Sequence, residues 1–328
     1  MDSTCGRPLQ SAEAGGERDE EDVRRVDAIQ GHVVRQFTGH TQWIRSIAMR
    51  PMIEDEFATG SDDGSVRVWR MGSGECVRVL RGGGGGVWDV GWSGDGRRLA
   101  CGSGSRNAEV YEEAVGGGEW TVVSTIDVGE SAYGVALNAD GSVVVVARYF
   151  VDESHPGVVV RVSGARGPEE LARLNSESRS EGSKVAWSGD WRHVVLAQTC
   201  GRVSVYEATG WGRVWSKQIE GGNGMVLAKT RDGTRMVAMP WGAGRSVKFR
   251  VEDGGEWEEV GGRGAIGVCV VGGGRRVVVA HRDPARYEVH GGRERTIPSP
   301  TGVASLMCVV DGGGGLLALA GTGVVLIR

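Results

Sequence analysis

Proline is scarce in this chain, 8 residues of 328, and its 57 glycines follow no Gly-X-Y period, which excludes a collagen-like helix. Apolar runs are short: the longest, such as Val143 to Ala147, are far below bilayer length, and residues 1–30 hold no signal-type stretch. No membrane association is expected from such a chain. The six cysteines, Cys5, Cys76, Cys101, Cys200, Cys269 and Cys308, form no Cys-x-x-Cys pair, so neither a disulfide framework nor a zinc site is expected. Most read as small buried hydrophobes in a reducing compartment, the cytoplasm or nucleus. Charge of one sign is also missing. The net charge is −4, and residues 1–30 account for it with 8 acidic against 4 basic side chains, leaving a neutral body. A neutral body with only four lysines argues against a large nucleic-acid footprint.

What is present is a repeat. A hydrophobic content of 40% rules out global disorder, and the length suits either two domains or one large all-β domain. An apolar segment, a turn on Asp or Gly, a second apolar segment, a polar turn and a third apolar segment recur along the chain. The first turns fall at Asp55, Asp95, Asp140, Asp190, Asp232, Gly273 and Asp311, 38 to 50 residues apart. That period belongs to a four-stranded propeller blade. The segments are short, valine-rich and bounded by glycine or aspartate, which makes them strands. The seventh unit has only three, and "HVVRQF" at His32 to Phe37 has no partner nearby. The fold class expected is therefore all-β, a seven-bladed β-propeller over residues 31–328. The N-terminal strand completes the last blade and closes the ring, so that only short edges remain. Six or eight blades are lesser alternatives. Tight turns with positive φ account for the glycine excess. Residues 1–30 read as an acidic, disordered tail, with a short helix over Glu17 to Ile29 as the alternative.

The first unit, "GHTQWIRSIAMRPMIEDEFATGSDDGSVRVWR", resembles a WD40 repeat through Gly39 and His40, its Ser-Asp-Asp-Gly turn and Trp69. The resemblance implies a buried hydrogen-bonded set of His40, Thr59, Asp63 and Trp69. The strand pattern extends the resemblance over residues 31–328, but the sharp motif stays in the first unit. Before blade two the Gly-His pair becomes the run Gly82 to Gly86, Tyr111 and Tyr206 replace the tryptophan, and Ser105 takes the aspartate position. Blades two to seven are accordingly expected to rely on apolar packing and backbone pairing alone, and a related propeller family remains an alternative parent for them. Trp92 and Trp187 share a position in "GWSGD" and "AWSGD" and are expected in the core; Trp120, Trp215 and Trp257 are expected in or beside outer strands, half exposed.

Catalytic signatures do not emerge. "HRDP" at His281 to Pro284 lacks the Asn of a kinase catalytic loop, having Glu288 there, and no phosphate loop, nucleophile elbow or metalloprotease helix occurs. Asp62 and Asp63 sit in a turn, not as an acid–base pair. The six histidines are dispersed without metal-ligand spacing, so no catalytic residue, metal or cofactor is expected. Rings of the WD40 kind imply instead a non-catalytic scaffold or adaptor, with a protein or peptide partner held on the face where inner strands begin. The resemblance assigns to that face Trp43, Arg45 and Asp62 in blade one, Trp88 in blade two and Tyr133 in blade three, with Arg148, Tyr149 and Trp241 as additions. Trp, Tyr and Arg are the residue types enriched at binding hot spots. Two alternatives carry weaker signals. A ubiquitin-ligase substrate receptor would have Trp-Asp-x-Arg where "WRMG" stands at Trp69 to Gly72, and an RNA-linked scaffold would need a local arginine patch.

Overall fold

The computed structural model describes residues 20, 23–24, 27–53, 55–81, 84–149, 155–162, 167–176, 183–220, 225–230, 233–240, 245–255, 258–260, 264–271, 275–292, 294–301, 307–310, 315–320 and 323–327. They form seven four-stranded antiparallel sheets. Blade one consists of Ile44–Met49, Glu56–Ser61, Ser65–Arg70 and Cys76–Arg81, and blades two to six repeat that order from the innermost strand outward. Blade seven contains Met307–Val310, Gly315–Ala320 and Gly323–Ile327, and its outer strand is Val33–Phe37 from the other end of the chain. The pairing runs from Val33 opposite Ile327 to Phe37 opposite Val324, the ring closure expected from the unpartnered strand. Among the described residues, no helix is long and apolar enough to cross a membrane.

The core is divided into seven apolar clusters, one between each pair of adjacent blades. Second strands such as Val143–Arg148 and His193–Gln198 are buried on both faces and read as continuous apolar runs, whereas outer strands such as Glu169–Leu174 stay mostly open to water. Trp92 and Trp187 are core residues, and each indole nitrogen donates 3.1 Å into the preceding blade, to the carbonyls of Ala48 and Ala136. Trp120 and Trp215 are half-buried in outer strands; Trp257, like Trp241 and the turn residues Asp232, Gly273 and Asp311, lies outside the described residues.

Two departures from expectation have physical causes. Glycine serves close blade approach as well as turns. A Cβ on Gly60 would lie 2.6 Å from Val87 of the next blade, and one on Gly102 2.6 Å from the Ala132 carbonyl oxygen, so neither position accepts a side chain without separating blades. Second, blades two and four do not depend on apolar packing and backbone pairing alone. The phenol of Tyr111 lies 2.6 Å from the Arg81 carbonyl and 2.5 Å from Glu109, and that of Tyr206 donates to the Asn175 carbonyl at 2.6 Å. A tyrosine hydroxyl reaches further than an indole N–H, so each finds its acceptor beyond its own blade's second strand.

The N-terminal segment meets the ring before the closing strand begins. Ile29 is buried in the cluster between blades six and seven, Asp27 accepts two hydrogen bonds from Arg276 at 2.8 and 3.0 Å, and Arg295 donates to the Ile29 carbonyl. Residues 1–19 of the tail lie outside the described residues.

Candidate functional site

Blade one holds the polar set that its motif implies. Asp63 accepts from His40 Nδ1 at 2.8 Å, the Thr41 N–H at 3.0 Å, and the Ser65 hydroxyl and N–H at 2.6 and 2.9 Å. His40 Nε2 lies 2.8 Å from Thr59 Oγ1, and Thr59 Oγ1 accepts from Trp69 Nε1 at 2.8 Å. Roles in the chain follow from the groups that have no choice: the carboxylate only accepts and the indole only donates. His40 therefore donates through Nδ1 and accepts the Thr59 hydroxyl proton at Nε2, as a neutral imidazole. Burial lowers the pKa of His40, against the opposing influence of Asp63. Burial raises that of Asp63, but its donors, led by the Ser65 hydroxyl and Thr41 N–H, outweigh this and hold it far below the usual carboxylate range.

Both shifts act in one direction. A histidine and a carboxylate with depressed folded pKa values each stabilise the fold above their unfolded pKa and lose that contribution as the pH falls through the folded one. Thermal unfolding followed by circular dichroism is thus expected to show stability declining below about pH 6.5, where unfolded histidine protonates, and further below about pH 3.9. Asp63→Asn should flatten the second decline and, by removing the influence that opposes the lowering of the His40 pKa, deepen the first.

The candidate face is assembled by a backbone device. In blades one, two and three the innermost strand slips register by one residue against its neighbour, between Ile44 and Ser46, Val87 and Asp89, and Ala132 and Gly134. The residues within these bulges are Arg45, Trp88 and Tyr133. A bulge bends its strand and re-aims one side chain. Blade four, whose innermost strand is Ser183–Trp187, pairs without a slip.

The re-aimed side chains meet. Trp88 lies edge-on to Tyr133 and Tyr149 with ring centroids 5.6 and 5.5 Å away, and the two tyrosines stack at 5.5 Å. All three are half-buried. Arg45 donates to both carboxylate oxygens of Asp62, at 2.6 to 2.9 Å, and Trp43 beside them is 60% exposed. Arg148 does not join this surface: it is buried and donates to the Val128 carbonyl at 3.5 Å and the His155 carbonyl at 2.5 Å. Its position as the last residue of its strand gave no sign of this inward turn.

Sequence reasoning missed the group that holds the face together. Asp89 accepts from the Ser46 hydroxyl and the Lys184 ammonium, each at 2.8 Å, and from the Val135 N–H at 3.0 Å, linking blades one to four at the channel mouth. Lys184 also sits 5.4 Å from the Tyr133 ring centre. The usable signal was an acidic residue in an otherwise apolar innermost strand. A second network, also unforeseen, lies between blades one and two, where buried Arg50 pairs with Glu56 and Glu113 and lies over Trp92 and Trp120. His281, from the "HRDP" string, is buried 3.0 Å from Glu288. Among the described residues, no group of three or more His, Cys, Asp or Glu is arranged to hold a metal ion.

Residues 31–70 and 74–112 match the family model described as WD domain, G-beta repeat. These are WD40 repeats. Each begins on an outer strand and ends on the third strand of the following blade, so the WD40 sequence unit straddles two blades, the offset that makes the N-terminal strand available to close the ring. The chain is similar to the protein transport protein SEC13 homolog B of Arabidopsis thaliana, 38% identical over 94 residues, which is 27% of this chain and 31% of that protein. It also resembles the pre-mRNA-splicing factor PRP46 of Eremothecium gossypii, 38% identical over 50 residues, 15% of this chain and 12% of the relative. These WD40 matches therefore span a third or less of the relatives' length. The crystal structure of the Myceliophteria thermophila Cps50 (Swd1) β-propeller domain superposes with a TM-score of 0.72, covering 90% of this chain and 98% of that one at 14% identity, a likeness of fold.

Proposed function

We propose that this chain is a non-catalytic scaffold that docks a protein or peptide segment on the face formed by blades one to three. The observation that carries the reading is the aromatic group at one mouth of the ring, Trp88 and Tyr133 within bulges and Tyr149 packed on both, bordered by exposed Trp43 and the Arg45–Asp62 pair. Half-buried aromatic rings on rigid strands offer apolar area without ordering cost, and a bidentate ion pair can exchange partners with an incoming polar group. The similarity to proteins named for transport and splicing supports a role in assembly, and a cytoplasmic or nuclear location accords with it.

The test is affinity capture with wild type beside a Trp43→Ala, Arg45→Ala, Trp88→Ala variant, after circular dichroism has shown equal folding. A Met52→Ala, Ile53→Ala variant, altered on the exposed loop at the opposite end of blade one, serves as control. The triple variant is expected to lose a defined partner set that the control retains, each hot-spot residue contributing about 2 kcal/mol or more. Retention of the set by the triple variant, or equal loss in both, would remove this face from consideration.

A further inference from the structure

The central channel between the innermost strands of blades one to six has a volume of about 470 Å³. Its two ends differ in charge. At the mouth described above, each cation is compensated, Arg45 by Asp62 and Lys184 by Asp89. Toward the other end, the innermost strand of blade five, Met225–Lys229, finishes on a lysine that lines the channel and is open to its interior. Among the described residues no carboxylate comes within ion-pair range of Lys229, and burial lowers its pKa with no opposing influence. Its ammonium lies 5.4 Å from the ring centre of Trp191.

Trp191 is held as a rigid wall. It occupies the turn after the innermost strand of blade four with a φ of 61°, and its ring presses on the blade-two turn so closely that a Cβ on Gly94 would come within 2.4 Å of it. The channel lining also includes Ala228, Leu137 and other apolar residues of the inner strands, with Thr230 next to Lys229 in sequence.

We infer that this end of the channel is a binding site for a small organic anion with a planar apolar body, an aryl carboxylate, its carboxylate on Lys229 and its ring against Trp191. A volume of several hundred Å³ lined mainly by apolar groups, with its other charged groups paired at the far mouth and Lys229 alone at this end, has the character of a small-molecule site. An ammonium with no carboxylate in range among the described residues can take an anionic ligand as its counter-charge, a charge-assisted contact that a neutral ligand does not make. A purely inorganic anion would satisfy the charge and leave the aromatic and aliphatic walls unused. The site is separate from the docking face, at the opposite end of the channel, and does not depend on that reading.

The test uses the full chain and naphthoate as probe, with naphthamide as its uncharged isostere and acetate as the anion without a ring. Calorimetry and saturation-transfer NMR are expected to show saturable naphthoate binding, at least roughly tenfold tighter than naphthamide or acetate. Lys229→Gln should weaken naphthoate by a similar factor and Lys229→Arg should restore it, while Trp43→Ala at the other mouth should leave it unchanged. Absence of saturable naphthoate binding, equal affinity for naphthamide, or full affinity in Lys229→Gln would each overturn the proposal. The comparison of the three probes on wild type needs no variant, so a misfolded substitution cannot obscure the answer.

Discussion

Trp69→Ala is expected to destabilise the fold by about 4 kcal/mol, a large part of what holds a typical domain folded. Trp69 is 1% exposed, sits in the cluster between blades seven and one, and packs against Phe37 and Phe57 with ring centroids 6.1 and 6.4 Å away. Removing the indole opens a cavity and withdraws the hydrogen bond that orients the Thr59 hydroxyl toward His40. The two effects separate in Trp69→Phe, which keeps most of the packing and loses the donor; its cost should be about 1 to 3 kcal/mol. Urea denaturation of the three proteins checks both values. Equal costs for Trp69→Ala and Trp69→Phe would mean that the hydrogen-bonded chain, and not the packing, dominates at this position.

Deleting residues 1–37 is expected to abolish the monomeric, cooperatively folding ring. The deletion leaves Gly323–Ile327 as an unpaired edge, and such edges pair with other chains. It also removes Phe37, which is fully buried and edge-on to Phe57 of blade one at 4.9 Å, so the closing strand joins two blades through side chains as well as backbone. Phe37→Ala keeps the strand and isolates this apolar share, expected at about 3 to 5 kcal/mol. Size-exclusion chromatography should find the deletion variant in aggregates or oligomers. A monomer with the wild-type unfolding midpoint would show that the ring closes without its last strand. Phe37 and Trp69 share one cluster, so their costs should not add, and a double-mutant cycle should read a coupling of about 0.5 to 3 kcal/mol.

The architecture is legible in the sequence because a propeller is built from local pieces. Each blade is a meander of consecutive strands joined by short turns, so strand-length apolar segments and Gly or Asp punctuation disclose it directly, and the unpaired segment at His32 to Phe37 disclosed the closure. His40, Thr59, Asp63 and Trp69 were legible for the same reason, since all four lie within one repeat. The face was legible in part. The resemblance assigns Arg45, Trp88 and Tyr133 to one face, but the register slips at their positions carry no sequence mark of their own. Arg148 looked like a surface cation and lies buried between carbonyls. Asp89 and Lys184 stand 95 residues apart and meet only because blades two and four border one channel mouth.

Sequence alone therefore determined the number of blades, the strand that closes them and the polar set of the first repeat, all properties of neighbours along the chain. Tertiary structure decided which side chains from different blades come together: the Trp88, Tyr133 and Tyr149 group, the Asp89 junction, the glycines at Gly60 and Gly102 that let blades touch, and Lys229 near Trp191 with no carboxylate in range among the described residues. Those contacts depend on the angle and spacing at which blades pack around the axis, and no pattern within a single repeat encodes that geometry.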